Sequence, residues 1–264
     1  MILAIDIGNT HTTIGIFNSK KLLGSWRVTS FVTRTEDEFG ILIKQFCDEA
    51  KISFKKVLQV GISSVVPNLT DIAVKMAHKY FQIDPIVVSS ELNLGIKILY
   101  DDPKAVGADR LCNAVAGYGK YKGPLIIIDF GTATTYDVIS ENAEYLGGII
   151  APGIETASTE LHRRAAKLPK IDLKFPARLI GKNTVESMQG GILFGALDSM
   201  EAMIRRISKE LNDYPTVITT GGFSEIMKKH STLVNKHEPN LVLDGIRLIV
   251  ERIEKRSKKS SGKK

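Results

Sequence analysis

Asp6-Ile7-Gly8-Asn9-Thr10 places a carboxylate at the end of an apolar run, ILAIDI, and follows it with a glycine and a hydroxyl. A glycine at that point lets backbone N–H groups approach an anion closely, which is how a phosphate-binding loop is made. One such pentapeptide also ends strands in proteins that bind nothing. The pattern returns, however, at Asp129-Phe130-Gly131-Thr132-Ala133-Thr134, after PLIIIDF. Two strand, Asp-x-Gly and hydroxyl hairpins, one in each half of the chain, could grip a polyphosphate from both sides. Between them lies Gly107-Ala108-Asp109-Arg110. A hydroxyl attacking phosphorus needs its proton accepted and its oxygen aimed in line, and a carboxylate does both. An arginine offers a fixed fork of donors to a substrate carboxylate or carbonyl. Taken alone, the Asp109-Arg110 pair also fits a surface ion pair on a helix.

Other residues carry less. Gly181-Lys182-Asn183-Thr184 reads as a loop in which Thr184 caps a long helix. Gly221-Gly222 ends a strand and fits a close approach to a ligand equally well. His11 lies inside the first loop, whereas His78, His162, His230 and His237 have no metal-ligand spacing, so zinc is not expected. Cys47 and Cys112 are too few for a disulfide framework, although one bridge stays open.

The elements that must position these residues follow from periodicity and turn residues. Residues 2–7, 12–17 and 22–28 read as a three-strand meander; a helix follows over 35–50 with Thr35 as its cap, then a strand at 57–62, a helix at 68–81 and a strand at 85–89. The order then repeats, with strands at 124–130, 134–139 and 144–149, helices at 154–166 and 184–212, a strand at 216–220 and a last helix over 244–256. Residues 101–122 read as a crossing segment with a helical second half. A repeat of half the chain predicts a duplicated α/β fold. The expected lobes are 1–115 and 116–254, with 255–264 as a disordered basic tail.

The 264 residues suit one large domain or two modest ones, and 43% hydrophobic with 25% charged residues is the balance of an ordinary globular protein. The net charge of +7 is concentrated at the end. Residues 255–264, KRSKKSSGKK, hold six basic groups and no acid, leaving +1 for the rest. Without interleaved aromatics the tail is not expected to bind nucleic acid. The start, MILAIDIGNT, lacks the basic flank and cleavage site of a signal peptide, and no run reaches the roughly 20 apolar residues of a membrane span. The expectation is a cytoplasmic protein with no membrane partner.

Seven collinear blocks, MILAIDIGNTHTTIG, DDPKAVGADR, IIIDFGTATTYD, GGIIAPG, RAAKLP, GKNT and TTGG, resemble the type III pantothenate kinases, members of the actin-like ATPase superfamily that includes sugar kinases and the heat-shock 70 chaperones. The resemblance implies two duplicated actin-like (ribonuclease H-like) lobes with an ATP cleft between them, and phosphorylation of pantothenate to 4′-phosphopantothenate, the first step of coenzyme A synthesis. It implies that Asp109 is the general base and that Tyr100, Gly107, Ala108, Asp109 and Arg110 contact pantothenate. It implies that Asp6, Ile7, Gly8, Asn9, Thr10, His11, Thr12 and Thr13 hold ATP, Asp6 with Mg2+, and that Thr132 also contacts ATP. Asp129 matches a ligand of a monovalent cation, K+ or NH4+, and Thr184 a residue that reaches pantothenate in the partner subunit of a homodimer. Gly221-Gly222 matches where the superfamily approaches adenosine. Two rivals share the scaffold: a kinase of another small hydroxy acid and an accessory transcriptional regulator. The presence of Asp6, Asp109, Arg110 and Asp129 favours an enzyme.

Overall fold

A computed structural model describes residues 1–261. The chain forms two compact units, the first comprising Met1–Lys120 and the chain from Asn240 onward, the second Tyr121–Pro239.

In the first unit, β1 (Ile2–Ile7), β2 (His11–Asn18) and β3 (Lys21–Thr29) make the expected antiparallel meander. α1 (Glu36–Glu49) is closed by a reciprocal box, Thr35 accepting from the Glu38 N–H while the Glu38 carboxylate accepts from the Thr35 N–H. β4 (Gln59–Ser64) then pairs parallel with β1, and after α2 (Pro67–Met76) and a single π turn, Ala77–Phe81, the short β5 (Ile86–Val87) pairs parallel with β4. The resulting order is β3-β2-β1-β4-β5. β1 is central and buried on both faces, which is why its sequence is a continuous apolar run. Leu3, Ile5 and Ile7 point to one face, into a core with Ile14, Ile16, Ile43 and Ile62 under α1 and α2. A short β6 (Lys97–Ile98) precedes α3 (Ala108–Tyr121).

The opposite face is covered by α7 (Leu241–Ser261), and the sequence shows why it can lie so close. Ala4 is flanked in register by Gly15 on β2 and Gly61 on β4. A Cβ on Gly15 would lie 2.8 Å from Leu243, and one on Gly61 would lie 2.5 Å from Ile246. This row of small residues is the seat of α7. On α7 itself, a Cβ on Gly245 would run into the Cys112 backbone, so α3 and α7 also touch backbone to backbone. Periodicity finds the helix but not its place. The expected division put it in the second lobe, whereas it joins the first unit. The helix also runs through Ser261, so residues 255–261 are not the disordered extension expected of them. Lys and Arg are good helix formers, and a helix already anchored by Leu241, Ile246 and Val250 propagates cheaply through them. Residues 262–264 lie outside the described residues.

The second unit repeats the plan with β7 (Leu125–Phe130), β8 (Ala133–Ile139), β9 (Glu144–Pro152), α4 (Ile154–Arg164), α5 (Thr184–Leu211), β10 (Thr216–Gly221), α6 (Ser224–His230) and β11 (Lys236–His237). Its strands stand in the order β9-β8-β7-β10-β11, matching the first unit position for position. Parallel neighbours extend the match: Val65 N–H donates to the Ile7 carbonyl at 3.1 Å, and Gly222 N–H donates to the Phe130 carbonyl at 2.9 Å. Ile126, Ile128 and Phe130 pack under Leu193, Leu197, Met200 and Ile204 of α5. Among the described residues, no helix is long and apolar enough to cross a membrane.

Candidate active site

The first loop is a tight turn with its carbonyl groups already engaged. Gly8 N–H donates to the His11 carbonyl at 3.0 Å, and a Cβ on Gly8 would press on that same oxygen. Ser30, just past β3, donates from its hydroxyl to the Gly8 carbonyl at 2.7 Å and from its N–H to the Thr10 carbonyl at 3.0 Å. Two acceptors that would repel an anion are thereby engaged elsewhere. Asn9 and Thr10 are exposed at the loop tip, while Ile7 and Thr12 are buried. Thr12 Oγ1 lies 2.9 Å from Ser30 Oγ, so its hydroxyl belongs to the support of the loop. Thr13 is half-buried on β2. His11 Nδ1 accepts from Arg27 at 2.8 Å, which leaves the ring proton on Nε2.

Asp6 and Asp109 occupy one neighbourhood within the first unit. Ser63, fully buried on β4, donates to Asp6 Oδ1 at 2.8 Å. The buried Cys112 thiol, one turn along α3 from Asp109, is pushed well up by burial and further by the Asp6 and Asp109 carboxylates, and it meets the Ser63 hydroxyl. Both cysteines are buried and free, so no bridge forms. Asp109 stands in the first turn of α3, where Arg110 N–H donates to its Oδ1 at 2.8 Å. Burial, above all else, raises its pKa above the ordinary carboxylate value. Gly107 makes room for this carboxylate, since a Cβ there would lie 2.5 Å from Asp109 Oδ1. Arg110 is only 7% exposed, so the surface ion pair that the sequence left open does not describe these residues. Gly107 and Ala108 line a mixed pocket of about 440 Å³ with Ser64, Val65, Ser89 and Lys104. Tyr100 is half-buried in the segment before them.

In the second unit, Asp129 is half-buried at the end of β7, and Gly131 N–H donates to the Ala133 carbonyl at 3.0 Å to close the loop. The exposed Thr132 accepts at its carbonyl from Gly153 N–H and from Thr156 Oγ1 at 2.7 Å. Gly153 has no room for a side chain, because a Cβ would strike the Gly131 and Thr132 carbonyls. Gly221 adopts φ +85°, and a Cβ there would run into Asp129 Oδ1 and the Phe130 carbonyl. Gly221 therefore keeps a side chain away from these two oxygens as well as ending a strand.

At α5 the cap differs from the expectation. Asn183 Oδ1 accepts from Glu186 N–H at 2.9 Å and Glu186 accepts from Lys182 N–H at 2.8 Å, so Asn183 is the cap and Thr184 the first helical residue. Relieved of capping, Thr184 is exposed at the edge of an apolar groove of about 550 Å³ between α4 and α5, lined by Ile154, Leu161, Met188 and Ile192. Leu179 and Ile180 are exposed on the same unit. Ser30, Arg27 and Ser63 were not singled out from sequence, because serine and arginine outside a recognisable motif carry no periodic signal. Only strand register could have pointed to Ser63.

The residues present suit the expected ions. Among the described residues no three His, Cys, Asp or Glu side chains cluster as a metal site. Magnesium carried with a nucleotide takes most of its oxygens from phosphates and water and needs only one or two carboxylates, a demand that Asp6 can meet. A monovalent cation takes oxygen ligands, a chemistry that the Asp129 carboxylate matches.

Comparison with known proteins decides the family. Residues 2–206 match the model of the type III pantothenate kinases. The chain belongs to the type III pantothenate kinase family. A type III pantothenate kinase from Bacillus cytotoxicus is 43% identical over 252 residues, covering 96% of each chain. Solved structures agree on the fold. A Campylobacter jejuni protein named for the Baf family of transcriptional activators matches 96% of this chain and 99% of its own at TM-score 0.59 and 20% identity. The activator of 2-hydroxyisocaproyl-CoA dehydratase from Clostridium difficile, solved with ADPNP, covers 98% of this chain and 97% of its own at TM-score 0.58 and 12% identity. A ROK hexokinase from Thermus thermophilus covers 96% and 99% at TM-score 0.53 and 12% identity. The fold is thus that of the actin-like ATPases and sugar kinases, and a family of kinases implies the use of ATP.

Proposed function

We propose that this protein transfers the γ-phosphoryl group of ATP to the primary hydroxyl of pantothenate, giving 4′-phosphopantothenate and ADP at the start of coenzyme A synthesis. The observation that carries the reading is Asp109, a half-buried carboxylate at a helix start, in one neighbourhood with the Asp6 loop and given room by Gly107. Asp109 accepts the hydroxyl proton as the oxygen forms its bond to phosphorus and the bond to the ADP oxygen breaks. Its raised pKa makes it a stronger base than a free carboxylate. Arg110 faces the substrate's carboxylate or carbonyl, and Tyr100, Gly107 and Ala108 bound its pocket. Asp6, Gly8, Asn9, Thr10, His11 and Thr13, with the backbone of Ile7 and Thr12, receive the phosphates, and Asp6 would hold the magnesium that neutralises their charge. On the second unit Thr132 contacts ATP and Asp129 would hold potassium or ammonium. Most of the rate comes from positioning, because phosphoryl transfer leaves little covalent work to the protein.

The active form is a homodimer in the cytoplasm in which Thr184 reaches pantothenate bound by the partner. The apolar groove beside Thr184 supports this, since exposed apolar surface of that kind marks an interface. The test is to incubate the protein with ATP, magnesium and potassium together with a panel of small hydroxylated acids that includes pantothenate, and to identify products by mass. Phosphorylated pantothenate as the dominant product is expected. A different phosphorylated acid, with pantothenate untouched, refutes the substrate.

A further inference from the structure

One polar link beside the first loop joins Asp6 to the fully buried Ser63. β1 and β4 are parallel, and their register sets Asp6 directly beside Ser63. Residues paired in register project from the same face of a sheet, so Ser63 on β4, like Thr13 on β2, stands beside Asp6, and it is Ser63 that bonds to it. Ser63 is fully buried, and its hydroxyl donates to Asp6 Oδ1 at 2.8 Å. A buried hydroxyl costs stability unless bonded, and here its proton is committed to one carboxylate oxygen. That bond restrains the plane of the carboxylate.

The second unit repeats the register. β7 and β10 are parallel, and Asp129 is set beside Thr220, a hydroxyl residue that is 3% exposed. A hydroxyl on the parallel neighbour, in register with the Asp that opens the loop, is therefore present twice.

We infer that Ser63 is a positioning residue that orients the Asp6 carboxylate toward magnesium and the ATP phosphates, and that Thr220 does the same for Asp129 toward its monovalent cation. The inference rests on the proposed roles of Asp6 and Asp129. Neither hydroxyl touches substrate. Each acts by holding its carboxylate in one rotamer.

The experiment measures MgATP binding by calorimetry, without turnover, for wild type, Asp6→Asn, Ser63→Ala and Ser63→Thr, alongside KM values for MgATP and pantothenate. A hydrogen bond to a charged group sets the expected size, so Ser63→Ala weakens MgATP binding and raises its KM about ten- to a hundredfold. The KM for pantothenate changes less than about twofold, because Ser63 bears on the nucleotide loop alone. Ser63→Thr, which restores the hydroxyl in the form that Thr220 uses, recovers most of the loss. Thr220→Val raises the potassium concentration needed for half-maximal activity and leaves the magnesium requirement unchanged. If Asp6→Asn leaves MgATP binding intact, the reading of Asp6 itself fails. If Asp6→Asn weakens binding but folded Ser63→Ala does not, or if Ser63→Ala raises both KM values alike, the positioning role is overturned. The Thr220→Val measurement decides the second half even where a Ser63 variant does not fold.

Discussion

At the scale of single residues, the chemistry turns on how burial treats one carboxylate. Asp109 has its pKa raised by desolvation first, only partly offset by the Arg110 N–H and charge. An acid whose folded pKa lies above its unfolded value contributes stability below the unfolded pKa and loses it as pH rises through the folded one. At neutral pH the ionised Asp109 is therefore a cost to the fold. Asp109→Asn keeps the size and can still accept from the Arg110 N–H, so its melting temperature at pH 7 should equal or exceed that of wild type. Its advantage should vanish as pH is lowered through the carboxylate range. Thermal melts across pH check this, and a variant clearly less stable at pH 7 would mean that the charge is compensated. Asp6, Asp109 and Asp129 could be proposed from sequence because Asp-x-Gly and Gly-x-Asp spacings have a chemical reason. Ser30 and Ser63 were not, since they act on those residues from neighbouring strands far along the chain.

At the scale of elements, the meanders and their helices were legible because apolar periodicity reports burial directly. The location of α7 was not, because it depends on close contacts that only glycines permit. Gly15, Gly61 and Gly245 have no periodicity of their own, yet they determine which sheet face α7 covers. A methyl added at Gly245 would meet the Cys112 backbone, which cannot move aside as a flexible side chain can. Gly245→Ala should therefore destabilise the protein by about 1–3 kcal/mol through overpacking, despite the higher helix propensity of alanine. Urea denaturation measures it, and a neutral or stabilising result would contradict the close α3–α7 contact. The cap of α5 teaches a related lesson. Asn183 and Thr184 are both good caps by type, and the bond to Glu186 N–H selects the asparagine, leaving Thr184 exposed.

At the scale of the whole molecule, family membership rests on 43% identity over nearly the full chain, and the fold on duplicated units with the same strand order. The shared active site of the proposed dimer can be tested by mixing. Asp109→Asn subunits lack the proposed base and Thr184→Ala subunits the residue proposed to reach the partner, so a mixed two-fold dimer would rebuild one intact site. Activity should reappear on mixing two impaired variants. No recovery despite demonstrated subunit exchange would remove Thr184 from the partner's site. The central claim, that this chain phosphorylates pantothenate with Asp109 as base, is tested most directly by the turnover of Asp109→Asn in forming 4′-phosphopantothenate, with ATP binding measured on the same sample. The account predicts a fall of about 100- to 10,000-fold with ATP affinity retained; near wild-type turnover would contradict it.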